Sequence, residues 1–290
     1  MIQSMTGFGK ASAELEDRKV TIEIKSLNSK QLDLNTRIPG IYREKEMEIR
    51  SELLQKLERG KVDLSIFIEN IGKHSSTQIN RQVFEGYYLQ IKEVADKLQI
   101  DLPADWFSVL LRLPDATKTE ISELNENEWL QVQDTLRKAV AGLLEFRKQE
   151  GQMLYNLFTE KINNIAALLE EVAPYEGERI EKIKERIQEA IQKNDITSFD
   201  SNRFEQELIF YIEKLDVNEE KSRLKNHLNY FLETMDSGKG QGKKLGFIVQ
   251  EIGREVNTLG SKSNHAEMQQ IVVRMKDELE QIKEQVLNVL

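Results

Sequence analysis

The chain has 290 residues, a formal net charge of −9, and 31% charged against 39% apolar residues. This length can bury a core in two domains, and the modest apolar fraction favours long solvated helices. Cysteine is absent, which excludes disulfides, thiolate metal sites and cysteine nucleophiles. We see neither a signal-peptide pattern nor an apolar run near the roughly 20 residues of a membrane span. We therefore expect a cytoplasmic protein without a membrane partner.

The first seventy residues predict a small sheet covered by a helix. Apolar and polar residues alternate over 20–25, 31–35 and 62–68, which predicts three strands. Helical spacing over 42–59, ended by Gly60, predicts a helix between the second and third strands. This order is typical of a sheet with a helix packed on one face.

The remainder of the chain predicts mainly helix. A helix is expected at about 80–98, followed by a less regular region, and helical spacing dominates from about 125 onward with a break near Pro174. The fold class is therefore α+β, with a small N-terminal sheet-plus-helix domain and a long, mainly α-helical C-terminal region. We place the domains at 1–155 (N-terminal α+β with a helical extension), 156–205 (helical connector) and 206–290 (helical, with the functional site).

The first group of candidate functional residues follows Asp216. Asp216 and Glu219 fit a helix N-cap and its capping-box partner. Glu220, Arg223 and His227 then fall along one edge of the predicted helix, at i, i+3 and i+7. A carboxylate, a guanidinium and an imidazole in a row could hold a metal, bind a phosphate and move a proton. An exposed helix face with an incidental ion pair explains the same spacing.

The second group is a glycine-rich stretch, 237–242, that leads into Lys243 and Lys244. Backbone N–H groups at a helix start, with lysines beside them, favour anion binding, although a flexible connector explains this stretch equally well. The helix predicted at 244–259 has Glu251 and Glu255 at i and i+4, where they repel unless a cation lies near. Arg254 could relieve that repulsion as simply as a metal ion could.

The last part of the chain combines a polar turn, predicted at 260–265, with a final helix from about Glu267. That helix has an apolar stripe that either its own chain or another subunit must cover. The acidic net charge disfavours bulk nucleic-acid binding. Locally, however, the segment 236–262 is positive, with five basic residues (Lys239, Lys243, Lys244, Arg254 and Lys262) against three acidic ones (Asp236, Glu251 and Glu255).

Blocks at both ends of the chain resemble the YicC/YloC-like endoribonuclease family. The N-terminal blocks are 4–9, 25–30 (leading to Leu34 and Arg37) and 58–62, and the C-terminal blocks are 216–227 and 242–263. The resemblance covers nearly the full length. Two residues depart from the family pattern: Gly246 replaces a usual aspartate, and Gly253 replaces a common asparagine.

The resemblance implies cleavage of single-stranded or small regulatory RNA by an endoribonuclease that depends on a divalent metal, Mn or Mg. It also implies a homo-oligomer, a hexamer. The implied catalytic residues are Glu220, His227, Glu251 and Glu255, with Glu220, Glu251 and Glu255 as metal ligands. The implied RNA-binding residues are Lys25, Lys30, Arg37, Arg223, Lys243, Lys244, Arg254 and Lys262.

Two other functions remain open from the sequence. A non-catalytic RNA-binding adaptor that recruits other ribonucleases would need the basic residues but not the carboxylates. A helical assembly scaffold would need neither set and would depend on the final helix.

Overall fold

The computed structural model describes residues 2–71, 77–119, 124–193, 201–238 and 240–290. Its N-terminal part contains a four-stranded sheet in the order β1-β2-β4-β3. The strands are β1 (Gly7–Glu14), β2 (Arg18–Leu27), β3 (Leu32–Arg37) and β4 (Gly60–Asn70). β2 is antiparallel to β1 and β4, whereas β3 is parallel to β4. A 3₁₀ turn (Gly40–Lys45) and helix α1 (Glu46–Lys56) connect β3 to β4.

One face of this sheet is buried under helices. The alternate residues Val20, Ile22 and Ile24 of β2 are fully buried, as the period-2 pattern requires. They pack with α1 and with the first half of a 45-residue helix, α4 (Glu126–Glu170). β1 approaches α4 so closely that a Cβ at Gly9 would overlap the carbonyl oxygen of Ala139. Glycine is therefore required there for packing.

A smaller unit lies between β4 and α4 in the sequence. It contains the two-stranded sheet of β5 (Thr77–Ile79) and β6 (Thr117–Thr119) and the helices α2 (Arg81–Leu98) and α3 (Trp106–Leu110). α2 starts where the Asn80 side chain accepts a hydrogen bond from the Val83 backbone N–H. The rings of Tyr88 and Trp106, 4.6 Å apart, pack α2 against α3.

The C-terminal part is helical. It contains α5 (Ala173–Lys193), α6 (Ser201–Lys214), α7 (Asn218–Asp236), α8 (Gly242–Lys262) and α9 (Ala266–Val286). α7, α8, α9 and the second half of α4 share a second core. α4 therefore belongs to both cores: Leu143 packs in the first and Leu154 in the second.

The two ends of the chain meet at the junction of the two cores. Ser4 forms a β-bridge with Val289, and the Leu290 backbone N–H donates to the Gln3 carbonyl at 2.8 Å. Arg147, buried in α4, donates from Nη2 to the carbonyl oxygens of Met5 and Arg59. The N-terminal segment is thus fixed by both the C-terminus and α4.

The fold class predicted from the sequence is confirmed: an α+β N-terminal domain precedes a long helical region. The predicted domain boundaries at 155 and 205 stay predictions, and α4 passes through the first of them. None of the helices in the described ranges is long and apolar enough to cross a membrane.

Several local predictions were wrong. The Asp216 side chain accepts from the Asn218 backbone N–H instead of capping α7, and Glu219 pairs with Arg223, so no capping box forms. α8 begins at Gly242 and continues to Lys262, so the polar turn shrinks to 263–265. Hydrogen bonding within the helix continues through the polar residues because their side chains point to solvent or bond locally, as the Ser261 hydroxyl does to the Thr258 carbonyl.

Candidate functional site

α7 and α8 form an antiparallel helical hairpin that joins the two C-terminal signature blocks. The turn between them uses positive φ angles at Gly238 (118°) and Gly240 (75°), which glycine adopts without strain. At the open end, Lys262 Nζ donates to Glu220 Oε1 at 2.7 Å and to the Asp216 carbonyl at 2.9 Å. This contact connects the start of α7 to the end of α8.

Glu220 is buried and only half satisfied. It is 6% exposed, and its second carboxylate oxygen, Oε2, has no hydrogen-bond partner among the described residues. The sequence predicted Glu220, Arg223 and His227 along one edge of α7, opposite its buried stripe. The structure corrects this: Glu220 packs under Lys262, Arg223 is exposed and paired with Glu219, and His227 is half-buried.

His227 and Glu255 lie at equal distances along α7 and α8 from the Glu220–Lys262 contact. His227 lies seven residues after Glu220 on α7, and Glu255 lies seven residues before Lys262 on α8. Seven residues are about two turns, or roughly 10 Å of rise, on each helix. Because Glu220 and Lys262 touch, antiparallel packing brings His227 and Glu255 to the same level along the hairpin, about two turns from that contact. Glu255 is 9% exposed.

The two glutamates of α8 have different surroundings. Glu251 is only partly buried and forms a 2.6 Å ion pair with Arg254, whereas Glu255 is buried. Arg254 thus relieves the repulsion that the i, i+4 spacing creates. Among the described residues, no three His, Asp or Glu side chains lie together in an arrangement that could hold a metal ion. The metal-ligand role of Glu220, Glu251 and Glu255 stays a prediction.

The predicted RNA-binding residues fall into two regions. Five of the eight lie on α7 and α8 (Arg223, Lys243, Lys244, Arg254 and Lys262), and Lys243 and Lys244 are exposed at the start of α8. Lys239, which belongs to the basic segment 236–262 but not to this set, lies outside the described residues. The remaining three, Lys25, Lys30 and Arg37, are exposed on the sheet and its β2–β3 loop. Lys25 and Arg37 point away from the buried face, on the open side of the sheet.

His265 is a polar residue of the core that sequence analysis left out of the site. It lies between α8 and α9, and its Nε2 is 3.1 Å from Lys182 Nζ and 3.6 Å from Glu178 Oε1. The hydrogen bond from Lys182, with a smaller contribution from His265, lowers the pKa of Glu178. His265 Nδ1 is buried without a partner among the described residues. Its place in the polar turn after Lys262 was the signal that could have identified it.

Comparison with known proteins assigns the family. The family description "Endoribonuclease YicC-like, N-terminal region" matches residues 2–156, and "Endoribonuclease YicC-like, C-terminal" matches residues 170–290. The chain belongs to this family. It is 31% identical to the "Probable endoribonuclease YicC" of Clostridioides difficile, with all of both chains covered. It is 29% identical to the protein of the same name from Haemophilus influenzae, with 99% of each covered.

Proposed function

We propose that this chain is an endoribonuclease that cleaves single-stranded or small regulatory RNA on the exposed face of the α7–α8 hairpin. The observation that carries the proposal is the Lys262–Glu220 contact, because it joins the two C-terminal signature blocks in one structure. Membership of the family, and the names of its relatives from C. difficile and H. influenzae, support the same activity.

The hairpin offers the groups that phosphodiester cleavage needs. His227 is the proton carrier, since histidine is the side chain that most often transfers protons in enzyme catalysis. Glu255, on the facing helix, is suited to orient it. Lys262 and Arg254 offset the negative charge that develops on the phosphate oxygens in the transition state. All of these cleavage roles are assigned to residues of α7 and α8, and none to residues of the sheet.

Metal dependence is a separate part of the proposal. Mg²⁺ in nucleotide enzymes is commonly held by one or two carboxylates, with waters and substrate phosphates completing its shell. Glu251 and Glu255 can supply such a partial set, although no three carboxylates converge within the described ranges. A bound divalent ion would add positive charge near the phosphate.

The activity is tested with labelled single-stranded RNA, incubated with the purified protein in Mn²⁺, in Mg²⁺ and with a chelator. We expect internal cleavage that the chelator abolishes. His227→Ala should slow cleavage about 100-fold or more, the usual contribution of an acid–base group, while Asn229→Ala, an exposed change on the same helix, should cleave at the wild-type rate. Wild-type-like cleavage by His227→Ala would refute the proposed role of His227, and cleavage in chelator would refute metal dependence.

A non-catalytic RNA-binding adaptor is the second candidate. It is favoured by one observation: Glu220 and Glu251 each already have a cationic partner, Lys262 and Arg254. RNA binding by the wild type without cleavage under any of the three conditions would select the adaptor.

We further propose a homo-oligomer, a hexamer as the resemblance implies. The apolar stripe of α9 does not support this, because Met275, Leu279 and Ile282 are covered within the chain. The support comes from the α2–α3 unit, where Leu89, Leu98 and Phe107 are exposed. Exposed apolar patches of this kind are typical of protein interfaces.

A further inference from the structure

The last four residues of the chain connect the basic residues of the sheet to those of α8. Asn28, in the β2–β3 loop, donates from Nδ2 to the Leu287 carbonyl at 2.6 Å. The Gly242 backbone N–H, at the start of α8, donates to the Leu290 carbonyl at 3.3 Å. Four residues span at most roughly 14 Å. The loop that carries Lys30 and the helix start that carries Lys243 are therefore held close together.

This junction is tightly packed on both sides. The Met5 backbone N–H donates to the Asn288 carbonyl at 2.7 Å, next to the Ser4–Val289 bridge. A Cβ at position 242 would overlap the Val289 carbonyl oxygen, so glycine is required for the approach of α8. The N-terminal block, the β2–β3 loop and the glycine before the lysine pair all converge on residues 287–290.

Exposed aromatic rings accompany the lysines on both sides of the junction. Lys25 Nζ lies 5.7 Å from the ring centre of Phe8, Lys243 Nζ lies 6.0 Å from that of Phe247, and Lys244 Nζ lies 4.6 Å from that of Tyr230. These aromatic residues are 40%, 57% and 44% exposed, respectively. Proteins that bind single-stranded nucleic acids use exposed rings next to cations: the bases stack on the rings, and the phosphates contact the cations.

We propose that Phe8, Tyr230 and Phe247 stack the bases of a single RNA strand while the neighbouring lysines bind its phosphates. The inference rests on the proposed function, in that RNA is the substrate. Single strands are selected because their bases are free to stack, whereas those of a duplex are hidden. Tyr230 lies one helical turn after His227. An RNA strand that is stacked on these rings therefore leads toward His227, the proposed proton carrier.

The test compares binding of a labelled single strand and of a matched RNA duplex over a range of salt concentrations. Phe8→Ala, Tyr230→Ala and Phe247→Ala should each weaken single-strand binding about fivefold or more and leave duplex binding unchanged. The salt dependence should stay as in the wild type, because no phosphate contact is lost. Lys243→Ala should instead make the salt dependence shallower. Tyr230→Phe keeps the ring and should bind as the wild type does.

Phe210→Ala is the matched control. Phe210 is an exposed ring on α6 with Lys214 Nζ 5.9 Å from its centre. Among the residues that the structure describes, no hydrogen bond at 287–290 involves α6. Ring variants that bind the single strand like the wild type, or a Phe210→Ala loss of the same size, would overturn the inference. A wild type that does not cleave, with ring variants that lose affinity, would refute the proposed nuclease and leave the stacking surface standing.

Discussion

At the scale of single residues, Arg147 joins the three separate N-terminal blocks that resemble the family signature. Its Nη2 donates to the Met5 carbonyl, the Ser26 hydroxyl and the Arg59 carbonyl, one acceptor from each block. Burial lowers the pKa of the Arg147 guanidinium, and Glu58 acts in the opposite direction. The blocks at 4–9, 25–30 and 58–62 therefore serve first as the ligands of one buried cation.

Replacing this cation should destabilise the fold strongly. Arg147→Met removes the donor of the Ser26 hydroxyl oxygen and of the Arg59 carbonyl, while the Met5 carbonyl keeps the Ser26 hydroxyl as a donor. Each unsatisfied buried group costs about 1–3 kcal/mol. We expect the free energy of unfolding in urea to fall by about 2–5 kcal/mol. Arg137→Met is the control on the same helix: its side chain is 54% exposed and pairs with Glu52, so the change should stay below about 1 kcal/mol. Equal effects of the two substitutions would contradict the role of Arg147.

At the scale of elements, periodic patterns predicted the helices and central strands well because burial on one face determines their periods. β2, β4 and α9 are examples: the predicted core positions Ile22, Leu64 and Leu279 are all buried. β1 was missed because its buried side is made of small residues that pack on α4, so no hydrophobic alternation marks it. Its strand character is determined by pairing with β2, which is 15 residues away along the chain at the Gly9–Ile24 pair and beyond any local pattern.

The candidate site was predictable only in part, because its contacts join residues that are distant in the sequence. Spacing along α7 placed Glu220 and His227 on one edge, but whether that edge is exposed depends on where α8 packs. The Lys262 contact that buries Glu220 joins residues 42 positions apart. The rings of Phe8, Tyr230 and Phe247 were overlooked because Phe8 is far from the other two in the sequence. The hydrogen bonds at residues 287–290 that hold the sheet near α8 leave no local pattern.

Two helical glycines, Gly246 of α8 and Gly151 of α4, should respond differently to replacement by alanine. A Cβ at Gly246 would meet no atom within 4 Å, whereas a Cβ at Gly151 of α4 would overlap the Ile2 carbonyl oxygen. Gly246→Ala should therefore raise the free energy of unfolding by about 0.5–1 kcal/mol, the ordinary helix-propensity gain. Gly151→Ala should lower it, because the N-terminal segment must shift. Urea denaturation measures both, and a destabilised Gly246→Ala would contradict the open surroundings of this position.

At the scale of the whole molecule, the chain covers the apolar stripe of α9 itself but leaves another apolar patch exposed. α9 packs against α4 and α8, so its core residues need no second subunit. The α2–α3 unit is different: Leu98 is 64% and Phe107 is 66% exposed. Assembly of subunits should therefore depend on α2–α3, and the stability of each chain on α9.

Substitutions in α2–α3 should change the mass of the assembly, whereas a substitution in α9 should change the stability of the chain. Leu98→Glu combined with Phe107→Glu places charges in the proposed interface, so light scattering after size exclusion should find the mass reduced from a multiple of the chain mass to 33.7 kDa. The urea transition should stay cooperative, because neither side chain belongs to a buried core. Leu279→Glu instead buries an unpaired carboxylate in the second core and should unfold the chain. A wild type of 33.7 kDa would refute the oligomer, and a double variant that keeps the wild-type mass would place its interface elsewhere.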